Sequence, residues 1–187
     1  MTAANTPATN TVTTQPAAPA AVVDLLNSLL ESAVYSIFRF MGEGSPYLSR
    51  ATAEIRRPLH EMVLANQRRA AELAGALESL GVVATPQAAI QRDEQYLAFL
   101  SLKFLLPKLV TEKKLCIERC ENALGGIARF PQVPPQIPTM LRAHLAELKS
   151  ELATLEHAAA HVNAKNGDPS KRAGGTKSNS DAGPSAG

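Results

Sequence analysis

Residues 55–80, IRRPLHEMVLANQRRAAELAGALESL, carry the pattern on which the fold reading turns. Taken in alternating steps of four and three, the stretch gives Ile55, Leu59, Met62, Asn66, Arg69, Leu73, Ala76 and Leu80, one face of a long helix. That face is apolar except at Asn66 and Arg69. Burying a neutral polar group without a partner costs roughly 2–7 kcal/mol, and a charge costs more. The periodicity therefore predicts polar side chains on the helices opposite.

Three further helical segments flank this one. A helix over about 21–41 presents Val22, Leu25, Leu26, Leu29, Leu30, Ala33, Val34, Ile37 and Phe40, and stops at the Gly-Glu-Gly-Ser-Pro run at 42–46. The helix holding the opening stretch is predicted over about 48–80, ending at Gly81, with Pro58 either kinking it or separating a preceding turn. A third helix, over about 91–128, contains Pro107 as a second kink candidate and reads inward along Leu102, Leu105, Leu109, Glu112, Cys116 and Ala123. A stiff Pro-rich connection at 131–138 leads to a fourth, over about 138–162, on the line Leu141, Leu145, Leu148, Leu152, Leu155, Ala159 and Val162. Long helices with one apolar face each, joined by loops, predict an all-α four-helix bundle over 22–162.

Composition agrees with one such domain. The chain has 187 residues, 45% of them hydrophobic and only 4% aromatic. The Thr/Ala/Pro-rich segment 1–21 carries no charge and no sustained apolar run, so it reads as disordered and not as a secretory signal. The Gly/Ser-rich segment 163–187 reads as disordered too. Its four basic residues against two acidic ones give +2, the formal net charge of the whole chain, which leaves the helical part neutral. A neutral bundle predicts no nucleic-acid footprint. The longest apolar stretch, 96–110, is interrupted by Ser101, Lys103, Pro107 and Lys108, so no membrane span is predicted. Two cysteines and no targeting segment point to a reducing cytoplasm.

The inward polar positions can be collected across the helices. Glu31 lies at the edge of the first apolar face, Glu112 on the third helix's inward line, and Glu151 beside the fourth helix's line. With Asn66 and Arg69 they predict one polar cluster drawn from four helices.

This arrangement resembles ferritin-like proteins of the rubrerythrin and bacterioferritin kind over roughly residues 22–160. The segment 69–81, RAAELAGALESLG, followed by a loop containing Pro86, is similar to that family's second helix. The resemblance implies an up-down bundle holding two irons through single carboxylates on helices one and three and Glu-x-x-His on helices two and four. Glu31 and Glu112 then fall on the single carboxylates, Asn66 on a glutamate and Arg69 on a histidine. Their separations, 35 residues from Glu31 to Asn66 and 43 from Arg69 to Glu112, suit the family's helix lengths. Helix four departs further, with Leu148 and Glu151, or alternatively Glu147 and Ser150, where the family has Glu and His.

Such a ligand set cannot complete a di-iron centre, and Arg69 places a permanent cation where a metal would sit. The expectation is a degenerate, metal-free site in which Arg69 pairs with Glu31, Glu112 and Glu151, and Asn66 bonds the leftover carboxylate oxygens. The alternative reading keeps iron on Glu31, Glu112, Glu147 or Glu151, with Cys116. Cys116 and Cys120, at i and i+4, read as small core residues, with thiolate ligation of a soft metal as the alternative. Their nearly parallel Cβ vectors disfavour a disulfide. His157 and His161, at i and i+4 with Glu156 nearby, read as solvated residues near a helix end, with a surface metal as the alternative; His144 reads as a core-edge residue with a local hydrogen bond, and His60 and Glu61 as non-ligands. Gly125 and Gly126 read as a loosening near the end of helix three. The predicted role is a non-catalytic bundle that self-associates or binds a helical protein partner. The alternatives are an iron-dependent oxidoreductase or iron-handling protein, and a purely structural element of a larger assembly.

Overall fold

The computed structural model describes residues 19–43, 53–84 and 100–166. These form α1 (Ala20–Val34), α2 (Ile37–Glu43), a 3-10 turn (Ala53–Ile55), α3 (Arg56–Ser79), α4 (Leu102–Ile127) and α5 (Gln136–Asn166). The predicted disordered segments lie outside the described residues, except that α1 already begins at Ala20 and α5 runs on to Asn166. The predicted stretches 44–52 and 91–99 of helices or loops also lie outside them, as does Pro86.

The single first helix expected over 21–41 is two helices, interrupted at Tyr35 and Ser36. Pro58 does not kink α3; it sits in the first turn, where its missing N–H has no helical acceptor to lose. The 3-10 turn at Ala53–Ile55 precedes α3 as a separate turn. Helix α4 continues through Pro107, and Thr111 Oγ1 donates to the Pro107 carbonyl at 3.0 Å. Helix α3 ends in a Schellman motif: Gly81 at φ +76°, with Gly81 N–H bonding the Glu78 carbonyl at 2.9 Å and Val82 N–H the Leu77 carbonyl at 3.1 Å. Gly125 and Gly126 do not loosen α4, which runs on to Ile127. A Cβ at Gly126 would lie 2.6 Å from Leu25 Cδ1, so the Leu25 side chain of α1 packs directly over this glycine.

The helices pack in a four-sided arrangement. Helix α1 packs on α3 and α4, α5 packs most extensively on α4, and the direct α3/α5 seam is the thinnest of the four. The apolar interior is divided in two. One core gathers Leu26 of α1, Leu73 and Leu77 of α3, Ala123 of α4 and Leu141 of α5. The other gathers Phe38 of α2, Leu59 and Val63 of α3, Leu105 and Leu109 of α4, and Leu155 of α5. Along every helix the boundary between the cores is marked by buried or half-buried polar groups: Ser36, Asn66 and Arg69, Glu112 and Lys113, and Glu151.

Candidate functional site

The polar level between the two cores has two parts, and the first is set by the break between α1 and α2. In a continuous helix the Ile37 N–H would bond the Ala33 carbonyl. Here the Ala33 carbonyl accepts from Asn66 Nδ2 at 2.9 Å. The Ile37 N–H donates to Glu112 Oε1, also at 2.9 Å. Two side chains, from α3 and α4, thus take over the two ends of one interrupted backbone hydrogen bond. A buried backbone group left unpaired would cost about 1–3 kcal/mol, which explains why polar residues are tolerated at this level. Glu112 also brings a carboxylate to the N-terminus of α2.

The second part is an ion cluster across the α3/α5 seam. Arg69, with its side chain only 5% exposed, grips Glu151 through both terminal guanidinium nitrogens. Nη1 lies 2.9 Å from Oε1 and Nη2 3.0 Å from Oε2. Lys113 of α4, 1% exposed, bonds the same Glu151 at Oε2, at 2.6 Å. Its Nζ stands 3.9 Å from the centre of the Phe38 ring, a cation–π contact. Glu147, one turn before Glu151, accepts from Arg69 Nη1 at 3.2 Å and from Arg68 Nη2 at 2.5 Å. Arg68 also lies 3.5 Å from Glu72, and Glu72 meets His144 Nε2 at 2.5 Å. The network therefore runs from buried Lys113 to the surface at Arg68 and back to buried His144. A surface groove of about 350 Å³, lined in part by Met62, Arg68, Glu147 and Glu151, opens above it. Burial holds the Lys113 ammonium below its usual value near 10.5, with the Glu151 carboxylate opposing that shift.

The expected pairings are rearranged. The expected Arg69–Glu151 pair is present, but the second carboxylate on the guanidinium is Glu147, in place of Glu31 and Glu112. Glu112 is turned to the Ile37 amide, and Glu31 is half-buried on α1, with its backbone carbonyl accepting from Tyr35 N–H at 2.9 Å. Asn66 bonds a backbone carbonyl and not a carboxylate. Both helix-four alternatives, Glu147 and Glu151, face α3. His144 is buried and makes a bond across helices instead of a local one. His157 is exposed, but His161 is half-buried with Nε2 out of contact with solvent, so the two are not both solvated. His60 and Glu61 are exposed, and Glu61 pairs with Arg57 at 2.9 Å.

Lys113 is the residue the periodicity reading missed. Starting from Leu102 with a step of four instead of three gives Leu106, Leu109, Lys113, Cys116, Cys120, Ala123 and Ile127, and all of these but half-buried Cys116 are buried. The signal was present, but it required a lysine at a core position.

Next to the polar level lies a half-open cavity of about 40 Å³ whose lining includes Ser32, Asn66, Arg69, Cys116, Cys120 and His144. Both cysteines are free thiols. Burial raises the Cys116 thiol, with the Lys113 charge countering it, and pushes Cys120 up to about 11. Among the described residues no group of three or more His, Cys, Asp or Glu side chains is placed to hold a metal ion. No helix among them is long and apolar enough to cross a membrane. In comparison with known proteins, the chain matches no family model, no curated protein and no solved structure.

Proposed function

We propose that the chain is a ferritin-like bundle without catalytic activity, in which an ion cluster occupies the level where the resemblance would put two irons, and that it serves as a structural or partner-binding module. The observation that carries this reading is the coordination of Glu151 by two buried cations, Arg69 and Lys113. A carboxylate already held by a guanidinium fork and an ammonium has its lone pairs and its charge taken up. The positions the resemblance marks support the reading in a second way: Asn66, Arg69, Glu112 and Glu151 stand at one level between two apolar cores, as ligands contributed by separate helices would.

Partner binding is supported by the outer face of α4. Phe104 is 69% exposed and Leu115 45% exposed, and their spacing of three turns puts them on one stripe with exposed Lys108 and Thr111. A second copy or another helix of mixed apolar and acidic character fits such a stripe.

The test is elemental analysis of chain purified without chelator, repeated after incubation with ferrous iron and with zinc. The expected result is folded protein without stoichiometric iron. Iron near one or two atoms per chain, lost on Glu112→Ala, would overturn the reading in favour of an iron-dependent protein. Sedimentation of wild type and Phe104→Asp over a concentration series checks association, which the substitution should weaken.

A further inference from the structure

The two thiols on α4 line a space that they share with Asn66 and Arg69 of the polar level. Cys116 and Cys120 are one helical turn apart and both line the cavity of about 40 Å³. That volume exceeds the 10–15 Å³ or so needed for one water-sized occupant. At i and i+4 their Cβ atoms stand about 5–6 Å apart and nearly parallel. A disulfide cannot close across that spacing, whereas an ion placed between two sulfurs can bridge it.

Burial and, to a lesser degree, the Glu112 carboxylate raise the Cys116 thiol, whereas Lys113, Ser32 and Arg119 act in the opposite direction and would support a sulfur that has given up its proton to a metal. Arg119 Nη1 donates to Ser32 Oγ at 2.6 Å. Ser32 Oγ in turn lies 3.8 Å from Cys116 Sγ. With its lone pair engaged by the guanidinium, the hydroxyl is free to direct its own proton at the sulfur. Lys113 adds a second positive charge one turn away on the same helix, and Arg69 lines the cavity itself. Cys116 is half-buried and Cys120 is 3% exposed, so an ion would meet Cys116 first and reach Cys120 behind it.

The donor set decides which ion. Zinc requires about four ligands in a tetrahedron, and the described residues supply no third His, Cys, Asp or Glu to such a site. His144 lines the cavity, but its Nε2 is held by Glu72. A soft, univalent d10 ion is satisfied by two thiolates in a near-linear arrangement, and thiolate ligands select Cu(I). We infer that Cys116 and Cys120 form a two-coordinate cuprous site, with Ser32 and Arg119 positioning the Cys116 sulfur. Binding joins two thiols and one Cu(I) into a bis-thiolate of charge −1, facing Arg69, and releases two protons with no change of oxidation state. One of those protons leaves the bond that Cys120 Sγ makes to the Leu141 carbonyl.

The experiment is an anaerobic titration of the reduced full chain with Cu(I) held by the chromogenic chelator bathocuproine disulfonate, followed by loss of the chelator's colour and by near-ultraviolet thiolate-to-copper absorption. Wild type is expected to withdraw one Cu(I) per chain. Cys116→Ala and Cys120→Ala should each abolish that transfer while circular dichroism stays that of a folded helical protein. Ser32→Ala should weaken it by roughly 10–100-fold, as removal of a group supporting a ligand does. Cys116→Ser, at a half-buried position, keeps the test decisive if Cys120→Ala fails to fold. Wild type that takes no Cu(I) from the chelator would overturn the inference. So would a Cys116→Ala chain that takes as much as wild type, or zinc bound as tightly as Cu(I). The iron measurement above is independent, because it reads Glu112 and not the thiols.

Discussion

The two parts of the polar level answer two different physical demands. At the α1/α2 break, Asn66 and Glu112 replace a backbone hydrogen bond, so each meets a group of fixed position and modest polarity. At the α3/α5 seam, Arg69, Lys113, Glu151 and Glu147 meet one another, and what they satisfy is full charge. The break is held by an amide and a carboxylate that each bond one backbone group, and the seam by mutual neutralisation of charged side chains. Removing one member should therefore have unequal consequences on the two sides, because an orphaned charge in a low-dielectric interior is more costly than an orphaned carbonyl.

The largest effect is expected at Glu151. Glu151→Ala leaves Lys113 without its carboxylate and Arg69 with only the 3.2 Å contact to Glu147. Chemical denaturation should show a loss of about 3–5 kcal/mol. A triple replacement, Arg69→Met with Lys113→Met and Glu151→Leu, should recover most of it, since well-packed apolar groups can replace a buried ion cluster with little loss. Failure of the triple variant to recover would show that the cluster fixes the seam's geometry as well as its charge.

Asn66→Ala comes next. It strands the Ala33 carbonyl and should cost about 1–3 kcal/mol by the same measurement. A loss as large as that of Glu151→Ala would erase the distinction between the two sides.

Lys113 gives a pH-dependent version of the comparison. Its folded value is lowered by burial from an unfolded value near 10.5, so the unfolded chain binds more protons through that range. Wild type should gain stability relative to Lys113→Met as pH rises through the lowered value toward 10.5, by no more than about 1.4 kcal/mol per pH unit. The gain is complete above the unfolded value and lost as pH falls through the folded one. Denaturation midpoints of both proteins between pH 7 and 10 would show it; a constant difference would mean that Glu151 fully offsets the burial.

The smallest effect is expected at the surface end of the network. Arg68 is 52% exposed on its side chain, and Arg68→Ala should change stability by only about 0–1 kcal/mol despite its contacts to Glu147 and Glu72. A greater loss would place the outer pairs in the same class as the buried ones.

How much of this was legible differs from helix to helix. On α3 the inward line could be read from Leu59 to Ala76, including Asn66 and Arg69, because breakers bound the helix and no break interrupts its register. On α4 the same procedure held through Leu109 and then chose Glu112 over Lys113. A lysine is an improbable core residue until the carboxylate and the ring that accept it are in view. The α1/α2 break could not be read at all. Val-Tyr-Ser-Ile at 34–37 contains neither proline nor glycine. What supports the break comes from residues roughly 30 and 75 positions further along the chain.

The sequence by itself determined that the chain is helical, where α3 ends, and that Asn66 and Arg69 belong to an apolar face, because hydrophobic phase and breakers are local properties of a helix. Only the tertiary structure decided that Asn66 serves a backbone carbonyl, that Arg69 takes Glu147 as well as Glu151 and leaves Glu112 to the Ile37 amide, and that Lys113 joins it on Glu151. A hydrogen bond or ion pair depends on distances between helices to within a few tenths of an ångström, and no spacing along a single helix encodes those.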